Sequence, residues 1–208
     1  MKKLLLKYRY GFLLIFPLLL VIFSLGEADT RFSYDVDRFF SKSDLSKEES
    51  MIISLLSEDQ SFGISAREKK ELARAIVRYS VRIQIPDGVL LSGYKPLPSL
   101  FLLSWAKTRT GMKTSAKKGF GILNLPESFV QEMEAMAGAK IDRKIDIYSY
   151  SIQYKLALLK YKEYLSEGNS VESAYSKLYG TSYSDAEWDL FEKNYKTYAE
   201  KITYENKP

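Results

Sequence analysis

Residues 101–129 read FLLSWAKTRTGMKTSAKKGFGILNLPESF and decide the fold. Residues 99–106 are apolar apart from two serines, a pattern typical of a helix that is buried on all sides. Residues 108–121 are rich in small and basic side chains and predict a loop. Pro126 suits the start of another helix, because proline has no N–H to leave unpaired there. The stretch therefore predicts two helices joined by a long loop.

The flanking sequence is helical in pattern as well. Ser65 and Glu68 have the spacing of a capping box, and Ser184 and Glu187 have the same spacing near the C-terminus. Residues 146–167 predict the longest helix of the chain. Strand patterns are scarce, so the sequence predicts an all-α fold. The apolar stripe of one predicted helix is Leu72, Ile76, Tyr79 and Ile83. The stripe of the other is Ile145, Tyr148, Ile152, Leu156 and Leu159.

The composition excludes several classes of chemistry. The 208 residues include no Cys and no His. Disulfides, thiol catalysis, Ser-His-Asp triads and zinc sites built on Cys or His are therefore ruled out. We expect no metal and no cofactor. Any acid–base chemistry has to rest on Asp, Glu, Lys or Tyr.

The N-terminus has the pattern of a membrane-targeting segment. Residues 10–26 read YGFLLIFPLLLVIFSLG, an uncharged run near the lower length limit for a membrane-spanning helix. The basic residues before it place the N-terminus in the cytoplasm. Two interpretations stay open, an uncleaved anchor and a cleaved signal peptide. Either one exports the rest of the chain, as a domain anchored in the inner membrane and facing the periplasm or as a secreted periplasmic protein.

The rest of the chain is nearly neutral in charge. The chain has 31 basic and 26 acidic residues, and four of the basic ones lie in residues 1–9. Because the basic excess belongs to the targeting segment, we expect no nucleic-acid partner. The predicted organisation is a signal anchor or signal peptide at 1–26, a tether with a short helix at 27–64, a helical domain at 65–183 and an amphipathic helix at 184–208.

Several motifs stand in the order found in soluble lytic transglycosylases, relatives of goose-type lysozyme. In that family a buried helix ends in Glu-Ser, and a loop leads to Ser, Gly-x-Gly-Leu-Met-Gln and Pro. A long helix and Ala-Ala-Tyr-Asn-x-Gly follow. Residues 69–180 resemble this arrangement, which implies a lysozyme-like helical domain behind the N-terminal membrane segment. The positions that carry the resemblance are Ser115, Gly119, Gly121, Ile122, Leu123, Asn124, Pro126 and Ser173–Ser176.

The resemblance also implies a substrate site. Ser115, Gly121, Asn124 and Tyr175 match positions of the family's site. Asn124 keeps the amide of the family's Gln on a shorter stem, and Tyr175 has a ring and a hydroxyl to offer a sugar. We expect a groove between residues 115–124 and Tyr175. The alternative for the glycines is a purely structural role in a loop.

The family's catalytic Glu is missing from the matching position. Counting back from Ser115 places that position on Ala106, and its following Ser on Lys107. Glycosidic cleavage needs an acid to protonate the leaving oxygen, and alanine cannot transfer a proton. Glu58 and Glu127 are the candidates for a displaced acid.

These observations predict an exported, membrane-tethered, lytic-transglycosylase-like domain that is not catalytic. Its expected partners are peptidoglycan or another envelope glycan, and the membrane through residues 10–26. One alternative is an active peptidoglycan lytic transglycosylase with a displaced acid. The other is an envelope scaffold that binds a protein.

Overall fold

The predicted all-α class is confirmed. A computed structural model describes residues 42–111, 119–137, 140–142, 144, 146–180 and 183–205. Within these ranges there is no strand, only two isolated β-bridges. The α-helices are α1 (Lys42–Glu58), α2 (Ala66–Ser80), α3 (Pro98–Gly111), α4 (Glu127–Ala137), α5 (Tyr150–Ser166), α6 (Val171–Tyr179) and α7 (Asp185–Glu205).

The chain divides into two units, Met1–Leu45 and Ser46–Pro208, and the second contains almost all of the described residues. Helix α1 begins at Lys42, so it is longer than the short helix predicted within the tether. No helix in the described ranges has the length and apolar character needed to cross a membrane. The predicted anchor at 10–26 lies outside those ranges.

Helix α3 occupies the centre of the second unit. Residues 99–106 are all buried, as their apolar sequence predicts. The helix packs against α7 and α2. Phe101 lies 4.9 Å from Phe191 of α7 and 6.0 Å from Tyr161 of α5, measured between ring centroids. This core fixes the positions of the helices that surround the candidate site.

Helix α2 follows its sequence signals closely. The capping box of Ser65 and Glu68 is present, because each side chain accepts a hydrogen bond from the other residue's backbone N–H. The predicted apolar stripe is buried from Leu72 to Ile83. The opposite face of α2 is therefore exposed, and it forms one wall of the candidate site.

The predicted loop at 108–121 is wrong at its start. Helix α3 continues to Gly111. The hydroxyls of Thr108 and Thr110 donate to the carbonyls of Ser104 and Ala106 within the helix. Arg109 is buried there by contacts with distant parts of the chain, which no local pattern reveals.

The predicted helix at 146–167 is also wrong in extent. A 3₁₀ turn, Asp146–Tyr148, precedes α5, and Ser149 between them has an extended backbone. The longest described helix is instead α7, with 21 residues. The predicted stripe is not the buried face, since Tyr148 and Leu159 are both 54% exposed. The turn buries Ile147 and leaves Tyr148 at the surface, where it borders the candidate site.

Candidate functional site

A tight turn at residues 119–125 forms the floor of the site. Phe120 and Leu125 exchange two backbone hydrogen bonds of 2.8 and 2.9 Å across it. Gly121 and Asn124 both have positive φ angles, 66° and 48°, which glycine and asparagine tolerate better than other residues. The side-chain oxygen of Asn124 accepts a 2.6 Å hydrogen bond from the N–H of Gly119. The turn is therefore closed by its own polar groups.

Buried side chains from three helices hold this turn in place. Gln153 of α5 accepts a 2.9 Å hydrogen bond from the N–H of Leu123. Tyr179 of α6 donates to the Leu123 carbonyl at 3.1 Å. Arg109 of α3 donates through Nη2 to the Asn124 carbonyl at 3.4 Å. Gly121 lies so close to the Gln153 amide that a Cβ atom would overlap it.

The turn borders a cleft of about 410 Å³, and a second cleft of about 480 Å³ adjoins it along α2. We call the two together the groove, because both are bordered by Glu68, Tyr148 and Tyr150. The other residues that line the first cleft are Ile64, Gly119, Gly121, Ile122 and Asn124. Those that line the second are Glu71, Arg74, Ala75, Arg78, Ser149 and Ser151.

The groove combines aromatic and acidic side chains. Tyr148 presents a half-exposed ring. Burial, together with the carboxylates of Glu68 and Glu71, raises the pKa of Tyr150 to about 12, so its hydroxyl stays protonated at neutral pH. Glu71 forms a 2.9 Å ion pair with Arg67.

Glu68 is a poor proton donor in this arrangement. Hydrogen bonds from the Ser65 hydroxyl and N–H lower the pKa of Glu68 below its ordinary value. Glu68 is therefore ionised at neutral pH, whereas a general acid in glycoside cleavage needs a raised pKa. The groove has carboxylates suited to accept hydrogen bonds from a ligand.

Tyr175 does not line this groove, contrary to the prediction from the resemblance. It has no exposed surface, and its hydroxyl donates a 2.7 Å hydrogen bond to Glu187. A ring enclosed on all sides offers no face to a sugar. We use the term buried cluster for Arg109, Tyr175, Tyr179 and Glu187.

The buried cluster is a fully desolvated ion pair with aromatic neighbours. Arg109 donates through Nη1 to both carboxylate oxygens of Glu187, at 2.7 and 2.8 Å. Its guanidinium also lies 3.6 Å from the ring centroid of Tyr179. Burial raises the pKa of Tyr175 well above its ordinary value, so this hydroxyl remains a hydrogen-bond donor.

The second predicted capping box, Ser184 with Glu187, is wrong because Glu187 belongs to the buried cluster. The Glu187 carboxylate turns inward to Arg109 instead of back to the N–H of Ser184. The N–H of Glu187 donates to the Ser184 carbonyl at 2.8 Å. A partner 78 residues away outcompetes the local one.

The remaining predicted site positions do not all lie on the groove. Gly121 and Asn124 line the groove, and Ser115 lies outside the described residues. Ala106 has no exposed surface and does not line the groove, so an acid placed there would be buried in the core. Its neighbour Lys107 pairs with Asp59 at 2.6 Å and contacts Ser61.

The two candidates for a displaced acid also lie elsewhere. Glu58 forms a 2.6 Å ion pair with Lys201 of α7. Glu127 begins α4 and accepts a 3.0 Å hydrogen bond from Gln131. Neither borders the groove. Within the described ranges, no group of three or more acidic side chains is arranged to hold a metal ion.

Sequence reasoning missed most of the residues that form the walls of the groove. On α2 the missed residues are Glu71, Arg74 and Arg78, which with Glu68 follow a helical spacing of three, three and four. That spacing marks a solvent-facing stripe but does not say what lies opposite. Tyr148 was assigned to the apolar stripe of a continuous helix, because the break at Ser149 that turns it outward was not predicted. Tyr150 carried no signal.

Comparison of the chain with protein-family models, with curated proteins and with solved structures gives no match. The order of motifs in residues 101–129 and the geometry of the groove are therefore the observations on which a function can be argued.

Proposed function

We propose that this chain is an exported, membrane-tethered protein that binds glycan strands of peptidoglycan in the groove and does not cleave them. The observation that carries the proposal is the position of the turn at 119–124. The glycine-containing turn that resembles the substrate-site segment of lytic transglycosylases is the floor of a groove with an exposed tyrosine on its wall.

The chemistry of the groove suits a neutral sugar backbone. A pyranose ring has an apolar face that packs on an aromatic ring and hydroxyls that pair with fixed polar groups, a combination typical of ligand sites. Tyr148 supplies the exposed ring. Glu68 and Glu71 supply acceptors, and the protonated hydroxyl of Tyr150 supplies a donor.

Two observations support binding without cleavage. Ala106 occupies the position that the resemblance assigns to the acid, and Glu68 in the groove is held ionised. Loss of a general acid reduces a rate by about 10²–10⁴-fold. We expect the full-length protein to release no anhydro-muropeptides from purified peptidoglycan above the background without protein. Release that disappears in Glu68→Gln or Glu71→Gln would favour an active lytic transglycosylase instead.

Binding is tested by co-sedimentation of the full-length protein with purified, insoluble peptidoglycan. We expect Tyr148→Ala to reduce the bound fraction strongly, because it removes the exposed ring of the groove. Leu159→Ala is the matched control, since Leu159 is equally exposed but does not line the groove. Equal retention of both variants would contradict the groove and favour a protein scaffold.

Export is part of the proposal and has its own test. The basic residues of positions 1–9 precede one apolar run at 10–26. A reporter that is active only in the periplasm, fused after Pro208, should be active, and a reporter that requires the cytoplasm should be inactive. The opposite result would contradict every envelope function proposed for this chain.

A further inference from the structure

We propose that the second cleft of the groove binds a carboxylate-bearing substituent of the glycan through Arg78, so that the protein prefers acidic glycans to neutral ones. This inference rests on the proposed function and deepens it. Peptidoglycan differs from a plain N-acetylglucosamine polymer in carrying peptide stems with free carboxylates. The groove has a feature that distinguishes these two ligands.

The groove is polarised along α2. Its charged lining residues follow one face of the helix in the order Glu68, Glu71, Arg74 and Arg78. The acidic pair lies at the end near the turn of residues 119–124, and Glu68 borders both clefts. The basic pair lies toward the C-terminal end of α2. A ligand in the groove therefore meets carboxylates at one end and guanidinium groups at the other.

Arg78 differs from the other charged groups of this cleft, which all have partners among the described residues. Arg74 pairs through Nε with Glu49 of α1 at 3.0 Å. Glu71 pairs with Arg67, and Glu68 is hydrogen-bonded by Ser65. Among the residues that the structure describes, no carboxylate forms an ion pair with Arg78, which is exposed in the last turn of α2.

The acidic end of the groove does not cancel the charge of Arg78. At a rise of about 1.5 Å per residue, Glu71 and Glu68 lie about 10 and 15 Å from it along the helix axis. The Debye length at physiological salt is about 8 Å, so charges at these separations are largely screened. A carboxylate within hydrogen-bonding distance of Arg78 would therefore interact with Arg78 more strongly than with either glutamate.

The wall shared with α5 adds hydrogen-bonding groups. Ser149 and Ser151 line the same cleft. Ser149 occupies the N-cap position of α5, but its side chain makes no capping hydrogen bond. Its hydroxyl is therefore not committed to the helix and is available to a carboxylate held by Arg78.

An arginine in the last turn of a helix also complements the helix dipole. That role needs no ligand, and it predicts a small stability change with no effect on binding. The experiment therefore measures affinity and thermal unfolding for each variant.

Three soluble glycans of equal ring number serve as probes for the full-length protein. They are a β-1,4-linked N-acetylglucosamine oligomer, a peptidoglycan glycan with free stem carboxylates, and the same glycan with its carboxylates amidated. We expect the wild type to bind the free-carboxylate form roughly two- to fivefold more tightly than the amidated form, as one exposed ion pair implies. High salt should abolish this preference.

Arg78→Gln should remove the preference, and Arg78→Lys should retain part of it. Lys70→Gln is the control, since it removes one exposed charge from α2 outside the groove. Equal affinity of the wild type for all three glycans, or an unchanged preference in Arg78→Gln, would overturn the inference alone. Binding of none of the three would overturn the proposed function as well.

Discussion

Tyr148 lies in the groove and Tyr175 lies in the buried cluster, and the two tyrosines differ in their exposure to solvent. Tyr148 is 54% exposed on the wall of the groove, whereas Tyr175 has no exposed surface and donates to Glu187 in the buried cluster. A buried polar group needs a hydrogen-bond or ion-pair partner. Removing that partner lowers the free energy of unfolding, because the remaining group stays desolvated without compensation. Exposed groups can instead exchange water for a ligand. The buried cluster therefore holds the floor of the groove, and the groove is where a ligand can be contacted.

The largest expected effect comes from breaking the buried ion pair. Glu187→Ala leaves Arg109 charged and desolvated, so we expect the free energy of unfolding to fall by about 3–5 kcal/mol. Asp189→Ala is the control, because it removes an exposed acid from the same helix. Denaturant unfolding of both variants measures the difference. Equal stability of the two would show that the buried pair does not hold the fold.

A smaller effect is expected at the contact between the turn and the buried side chains. Gly121 and Gly168 both have positive φ, but a Cβ atom overlaps Gln153 only at Gly121. Alanine at either position carries the backbone penalty, about 1–2 kcal/mol. Overpacking should make Gly121→Ala less stable than Gly168→Ala by about 1–3 kcal/mol. Thermal or denaturant unfolding of both variants measures this difference. Equal stability of the two variants would contradict the expected overlap with Gln153.

The N-terminal cap of α2 should respond least. Ser65→Ala removes the cap of α2 and should lower the free energy of unfolding by about 1 kcal/mol. The substitution also removes the hydrogen bond from the Ser65 hydroxyl that lowers the pKa of Glu68. The matched change, Ser184→Ala, should stay within about 0.5 kcal/mol, since the N–H of Glu187 donates to the Ser184 carbonyl and not to its hydroxyl. A larger loss for Ser184→Ala than for Ser65→Ala would contradict the two assignments.

The features that the sequence predicted are local ones. The buried helix at 99–106, the stripe of α2 and the Ser65–Glu68 box depend on residues within a few positions of each other. Gly121 and Asn124 line the groove, and the sequence singled them out because they belong to a short motif.

The features that were missed depend on contacts between distant residues. The pairing of Arg109 with Glu187 extends α3 and removes a predicted cap, and it joins positions 78 residues apart. The burial of Tyr175 follows from the same pair. The exposure of Tyr148 follows from the break at Ser149, where an extended residue separates two helical segments that the periodicity joins.

The central claim is that the groove binds the ligand and that the buried cluster stabilises the fold. It is tested most directly by measuring both quantities for Tyr148→Ala and Tyr175→Phe in the full-length protein. Co-sedimentation with peptidoglycan at several concentrations gives the affinity, and thermal unfolding gives the stability.

We predict that one variant loses binding and the other loses stability. Tyr148→Ala should lose binding and change the free energy of unfolding by less than about 0.5 kcal/mol. Tyr175→Phe should bind as the wild type does and lose about 1.5–3 kcal/mol, because it deletes one buried hydrogen bond to a carboxylate. Loss of binding in a stably folded Tyr175→Phe protein, with Tyr148→Ala unaffected, would contradict the account.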